Sequence, residues 1–162
     1  MKKIYLQYAL YNVWTNKQLI LLIQQFSQEE LEKELGGSFS SIQKTVYHLW
    51  MAEQIWLQRL QLAENISLPN ENESFKSMIK NWQQTSKDLV KFVEELFNDD
   101  GIEHQVQYKS INKELFKTSV GDCLHQVFNH ASFHRGQLIN YCRMLGKTKI
   151  PATDYIAFVR RK

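Results

Sequence analysis

The spacing of apolar residues predicts four long helices. Hydrophobic side chains recur every three or four positions in residues 3–26, about 40–62, 74–97 and about 119–146. This period places them on one face of an α-helix. Only six Gly and two Pro occur in the whole chain, so few residues interrupt the helical pattern.

The connections between these helices carry capping and turn signals. Ser27, with Glu30 three residues later, has the pattern of a capping box. A short turn of helix is therefore expected there, ending at Gly36-Gly37. Residues 65–72 are expected to form a loop, and the polar cluster at 98–101 a turn that ends the third long helix.

The period changes between the third and fourth long helices. Residues 105–108 alternate polar and apolar side chains, and residues 114–117 can pair with them across a turn at 110–112. The predicted fold is therefore all-α, a four-helix bundle with a long crossover and a short extended hairpin segment before the last helix. A length of 162 residues predicts a single domain spanning residues 1–162.

Composition and charge argue against several classes of protein. The 43% hydrophobic content is too high for a disordered chain. The net charge of +3 is mild, and the one tight basic group, residues 160–162, is expected to be a solvated tail. No nucleic-acid partner is therefore predicted. No apolar run is long enough for a membrane span or a signal peptide, so no membrane association is predicted.

Cysteine usage indicates the compartment. Cys123 and Cys142 fall in one predicted helix, where nineteen positions correspond to about 28 Å. That separation is far beyond the reach of a disulfide bond. Reduced thiols are expected, and they favour a cytoplasmic location.

Three of the five histidines form a candidate metal site. His130 and His134 are four positions apart on the last predicted helix and lie on or beside its apolar stripe, so their rings are expected to point inward, one turn apart. His48 lies on the inward side of the second long helix and can meet them across the core. His104 and His125 do not share this face and are expected to be surface or structural residues.

The neighbouring residues limit the kind of metal site. Ala131 stands where a zincin helix carries its general-base Glu, so proteolysis of that type is not expected. The positions three before the histidines are Thr45, Val127 and Ala131, which argues against a di-iron centre built on Glu-x-x-His pairs. A mononuclear three-histidine site with open positions remains, suited to Zn, Ni, Fe or Cu.

These residues also carry a family resemblance. The run NHASFHRGQL at 129–138 is followed by Leu145-Gly146 and Pro151, and it resembles the C-terminal signature of the DinB/YfiT-like metalloprotein superfamily, the damage-inducible bundle family. The segment at 38–42, with His48 after it, resembles the family's second-helix signature. The resemblance covers nearly the whole chain.

The resemblance implies a fold, a ligand set and a class of activity. It implies a four-helix bundle, a homodimer, and zinc or nickel held by His48, His130 and His134. Characterised relatives include transferases and isomerases that use low-molecular-weight thiols. Relatives often carry a further His beside the last ligand, where this chain has Phe133. Two aromatic residues outside the main apolar stripes, Trp50 and Trp82, also favour a homodimer.

Residues beside the histidines have candidate roles. Glu53 is either an acceptor that orients a ligand histidine or a carboxylate at the edge of the bundle, paired with an Arg or exposed to solvent. Arg135 either contacts an anionic group of the substrate or pairs with a carboxylate. Gln137 is expected to bond to the backbone, and Gly136 to permit close helix packing.

Three functions are compatible with the sequence. The first is a metal-dependent S-transferase acting on a small-molecule substrate with a low-molecular-weight thiol. The second is a hydrolase in which the metal activates water. The third is a non-catalytic, stress-related metal-binding or assembly module.

Overall fold

Seven helices and one two-stranded sheet make up the described part of the chain. The computed structural model describes residues 1–110 and 112–161. The predominantly helical class predicted from the sequence is confirmed. The elements in chain order are α1 (Lys2–Ile23), α2 (Gln28–Glu32), α3 (Ile42–Leu60), α4 (Phe75–Glu95), α5 (Asp100–Glu103), β1 (Gln105–Lys109), β2 (Leu115–Ser119), α6 (Val120–Met144) and α7 (Tyr155–Arg160).

Serine side chains define the starts of four helices. Ser27 accepts a hydrogen bond from the backbone N–H of Glu30, whose carboxylate accepts one from the backbone N–H of Ser27. The predicted capping box is thus confirmed. Ser41, Ser74 and Ser119 cap α3, α4 and α6 in the same way, each accepting from a backbone N–H three residues later.

The four long helices enclose two hydrophobic clusters. Helix α1 packs against α4 and α6, and α3 packs against the same two helices. One cluster joins the C-terminal half of α1 to the N-terminal halves of α3 and α4 and the C-terminal half of α6. The other joins the opposite halves. Helices α3 and α4 therefore run in the same direction, and the segment 61–74 must return along the molecule between them.

The hairpin predicted from the alternation of polar and apolar side chains is present, and it follows α5 and precedes α6 in the chain. Strands β1 and β2 pair antiparallel, with Gln105 opposite Ser119 and Lys109 opposite Leu115. Strand β2 runs two residues beyond the predicted segment. Of the predicted turn, Ile111 lies outside the described residues.

Two short helices depart from the sequence expectations. The predicted turn at 98–101 continues into α5, a single turn. The predicted tail at 160–162 begins inside α7, and Lys162 lies outside the described residues. Helix α7 is held by aromatic packing, with the Tyr155 ring stacked 5.1 Å from Tyr8. A six-residue helix has too little periodicity to be recognised from sequence.

Two expectations about packing are wrong. Trp50 and Trp82 are buried in the core, so they lend no support to a dimer interface. A Cβ on Gly136 would have no heavy atom within 4 Å, so this glycine does not serve close helix packing.

Both cysteines lie on the buried side of α6. Cys123 and Cys142 are free and buried, and burial raises the pKa of each thiol to about 11.

Among the described residues, no helix combines the length and apolar character that crossing a bilayer would require.

Candidate metal centre

Three histidine rings converge between α3 and α6. His48 lies in α3, whereas His130 and His134 lie one turn apart in α6. The Nε2 atom of His48 is 2.9 Å from Nε2 of His130 and 3.2 Å from Nε2 of His134. Each ring offers one ligand atom, and these atoms all lie within 4.8 Å of one another. The three histidines could therefore hold one metal ion.

The distances fit a shared ion. Two nitrogens that each lie about 2.0–2.1 Å from one metal are roughly 2.9–3.4 Å apart when the angle between them is about 90–110°. The two distances from His48 fall within this range. Among the described residues, the group consists of three histidines and no carboxylate, so the site suits a single ion with at least one free coordination position.

The electrostatics keep the ligand nitrogens available. Burial, aided by the neighbouring His130 and His134 rings, lowers the pKa of His48 to about 4. Burial and His134 lower the pKa of His130 to about 4. Both rings are therefore neutral at pH 7, the form in which imidazole binds a metal.

Gln137 is a site residue that sequence reasoning assigned elsewhere. Its side-chain Oε1 lies 2.7 Å from Nδ1 of His134. Because a carbonyl oxygen only accepts, Nδ1 of His134 carries the proton, and Nε2 keeps its lone pair for a metal. The signal was present in the sequence as an i, i+3 spacing on one helix, which brings two side chains together.

Two phenylalanines flank the histidines. The Phe39 ring stacks on His48 at 3.8 Å between centroids. The Phe133 ring meets His134 edge-on at 5.0 Å, and 65% of Phe133 is exposed. Phe39 restricts rotation of the His48 ring, whereas Phe133 leaves an apolar surface in solvent next to the site.

The chain is similar to known proteins over nearly its whole length. Residues 1–161 match the DinB family. The chain belongs to the DinB family. A curated relative, protein DinB of Bacillus subtilis (strain 168), is 25% identical over 154 residues, which cover 90% of this chain and 87% of the relative.

Solved structures of DinB-like proteins share the fold. One from Bacillus subtilis matches with a TM-score of 0.68 at 15% identity, covering 91% of this chain and 98% of that chain. Another, from Bacillus cereus ATCC 10987, matches with a TM-score of 0.69 at 18% identity, covering 91% of this chain and 94% of that chain. At these identities the likeness concerns the fold alone.

Glu53 of this DinB-family chain does not orient a histidine. It is only 1% exposed, so it does not lie at the edge of the helices either. Its Oε1 accepts from the side-chain amides of Asn12 and Asn16 at 2.9 and 3.0 Å, and from Nε1 of Trp82. Its Oε2 accepts from the Ser86 hydroxyl at 2.6 Å. These donors occupy both oxygens, which corrects both sequence interpretations.

Arg135 belongs to the same buried network. It is 3% exposed, and its Nη1 donates to the carboxamide oxygens of Asn12 and Asn16. Its Nη2 donates to the Ser132 hydroxyl at 3.0 Å. The guanidinium thus neither faces solvent as a substrate contact nor bonds directly to a carboxylate. Asn12 and Asn16 each bridge it to Glu53. In each bridge the amide nitrogen donates to the Glu53 carboxylate, and the carboxamide oxygen accepts from the Arg135 guanidinium.

The remaining histidines lie outside the centre. His104 follows α5, and His125 is exposed on α6, as expected. Neither belongs to the metal-competent group found among the described residues.

Proposed function

We propose that this chain binds one divalent metal ion, zinc or nickel, on His48, His130 and His134, and that it acts as a thiol-dependent S-transferase. The observation that carries the proposal is the convergence of the three rings, with Nε2 of His48 at 2.9 Å from Nε2 of His130 and 3.2 Å from Nε2 of His134, and all three ligand atoms within 4.8 Å of one another. We also propose that α1, α3, α4 and α6 form the four-helix bundle expected from the sequence, and that this bundle positions the three histidines. Their mutual packing supports this arrangement.

The ligand set supports a catalytic role for the ion. Three protein ligands leave a position for an exogenous group, which is typical of catalytic rather than structural sites. When bound, a divalent ion supplies positive charge that favours the thiolate form of a low-molecular-weight thiol, the reactive nucleophile.

Residues next to the histidines orient the ligand rings and border the open coordination position. Gln137 holds His134 in the tautomer that leaves Nε2 free, and Phe39 fixes the His48 ring by stacking. The exposed Phe133 ring supports a substrate that carries an apolar group next to its reactive atom. The substrate and thiol are proposed to be small molecules of the cytoplasm.

Metal binding is the first test. The metal-stripped protein would be titrated with zinc and with nickel against a competing chelator. We expect one ion per chain, and a loss of affinity of more than about 100-fold for His48→Ala, because a lost ligand costs more than a lost supporting residue. His125→Ala, an exposed histidine on α6, is the matched control and should bind as the parent does. Equal binding by His48→Ala and the parent would overturn the site.

Thiol dependence is the second test. Turnover of a generic electrophile would be measured with bacillithiol, glutathione or cysteine, using metal-loaded and metal-stripped protein. We expect turnover only when metal and thiol are both present. Equal rates in the two forms would exclude the metal from the chemistry and favour the assembly-module function. Hydrolysis of an ester without added thiol would favour the hydrolase.

A further inference from the structure

A cavity lies between the end of α3 and the hairpin. It encloses about 360 Å³, enough for a small organic molecule. Arg59, which lines it, follows His48 by eleven positions along α3, a distance of about 16 Å along the helix axis. The cavity is therefore separate from the histidine centre. Its lining comprises two basic residues, one acid and several apolar side chains, chiefly Arg59, Lys109, Glu64, Leu62, Ile66 and Leu115.

Arg59 contributes a guanidinium group to this cavity. Its guanidinium lies 4.6 Å from the centre of the Trp56 ring and 4.7 Å from that of Tyr108. The two rings hold it in place by cation–π contact. Its Nη2 donates to the Lys109 carbonyl at 3.3 Å, but its buried Nε has no partner. Within residues 1–110 and 112–161, no carboxylate forms a salt bridge with Arg59.

The local charge favours a monovalent anion. Arg59 and Lys109 are cationic and Glu64 is anionic, which leaves one net positive charge around the cavity. Because Nε of Arg59 is buried, a ligand in the cavity would bond to its Nη groups, and the Nη groups of a guanidinium can donate two parallel hydrogen bonds to a planar carboxylate. One monocarboxylate would neutralise this single net charge, whereas a dianionic phosphate would leave a net negative charge in the cavity.

The rest of the cavity is apolar. Leu62 and Leu115 are 59% and 60% exposed, and Ile66 is exposed beside them. Leu62 has a φ of 57° just after the end of α3, where glycine is the usual residue. A leucine there presents an apolar side chain at the cavity edge, and solvent covers this side chain when no ligand is bound.

We propose that this cavity binds a small monocarboxylate with an aliphatic or aromatic body. The carboxylate would bond to the Arg59 guanidinium, and the apolar body would cover Leu62, Ile66 and Leu115. The proposal does not depend on the metal centre, because no histidine of that centre lines the cavity.

Octanoate is a suitable probe, with octanol as the uncharged match of the same length. The full metal-loaded chain would be titrated with each below its micelle concentration. Binding would be followed by calorimetry and by two-dimensional NMR of the Trp56 indole N–H and the Arg59 Nε–H. We expect saturable one-to-one binding of octanoate with shifts of both signals, and binding of octanol at least about tenfold weaker.

Three variants test the assignment. Arg59→Gln should remove the preference for octanoate over octanol, whereas Arg143→Gln, at an exposed arginine on α6, should retain it. Leu115→Gln, on the exposed side of β2, should weaken both ligands and keeps the proposal testable if Arg59→Gln fails to fold. Absence of saturation, equal affinity for the two probes, or a cavity covered by a second copy of the chain would overturn the proposal.

Discussion

At the level of single residues, the orientation of the His134 ring depends on Gln137. The hydrogen bond from Nδ1 to Oε1 is the kind of contact that fixes the tautomer of a metal ligand. Losing such a contact typically costs 10–100-fold in metal affinity. We therefore expect Gln137→Ala to bind zinc about 10–100-fold more weakly than the parent protein, as measured by chelator competition.

A neighbouring amide gives the matched control for this prediction. Asn140 lies one turn further along α6 and is exposed, with its side chain near the Met144 sulfur. Asn140→Ala should bind zinc as the parent does, and Gln137→Glu, which keeps an acceptor oxygen, should retain most of the affinity. If Gln137→Ala and Asn140→Ala bind zinc equally well, Gln137 has no part in presenting the ligand.

At the level of elements, Gly136 weakens α6 without an evident packing reason. It lies inside the helix, and a Cβ there would meet no heavy atom within 4 Å. Alanine restricts the unfolded chain more than glycine and is a better helix former. We expect Gly136→Ala to raise the free energy of unfolding in urea by about 0.5–1 kcal/mol.

Gly37 provides the opposite case. Its φ is +78°, and a Cβ there would lie 2.7 Å from the Tyr141 hydroxyl. Gly37→Ala should therefore lower the free energy of unfolding, because a side chain meets both an unfavourable backbone conformation and a close contact. A Gly136→Ala protein less stable than the parent would show that α6 needs glycine for a reason outside its packing.

At the level of the whole molecule, one polar network joins four helices. Asn12 and Asn16 come from α1, Glu53 from α3, Ser86 from α4 and Arg135 from α6. In α1, α3 and α4 these residues separate the two hydrophobic clusters along the helix. Sliding one helix by a turn would leave a buried charge without its partner. The network therefore favours a single register of the four helices.

A double-mutant cycle tests this network. Glu53→Gln should lower the free energy of unfolding by about 3–5 kcal/mol, because it leaves the buried Arg135 charge uncompensated. Arg135→Met should cost a similar amount. The double variant should cost less than the sum by about 1–3 kcal/mol. Glu94→Gln, at an exposed acid on α4, should change stability by no more than about 0.5 kcal/mol. Additive effects of the two core substitutions would mean that the charges do not interact.

Association between copies of the chain is also a property of the whole molecule, and we predict a homodimer. Leu10 and Leu21 are 40% and 53% exposed on α1. Their separation of eleven positions returns to the same side of the helix. We expect sedimentation velocity at micromolar concentration to show a dimer, and Leu21→Lys to shift it toward monomer. Leu68→Lys, at an exposed leucine in the 61–74 segment, is the control. Monomer alone for the parent protein would refute the prediction.

Local order explains which features were predictable. The four long helices, the capping box at Ser27 and the hairpin follow from patterns within a few consecutive residues. The pairing of His130 with His134 is likewise local, since one helical turn brings the two rings together. His48 is predictable because it lies on the inward side of the second long helix, from which a side chain can meet the last helix across the core.

The sequence by itself thus determined the four long helices, the hairpin and the three histidines, all of which depend on short-range periodicity and side-chain chemistry. Only the tertiary structure decided the roles of Glu53 and Arg135. Whether a charged side chain is solvated or buried depends on which groups surround it, and Asn12 and Asn16 lie far from both in the chain. The same holds for α7, whose six residues are helical because aromatic rings of α1 cover them. Long-range contacts supply these partners, and no local pattern records them.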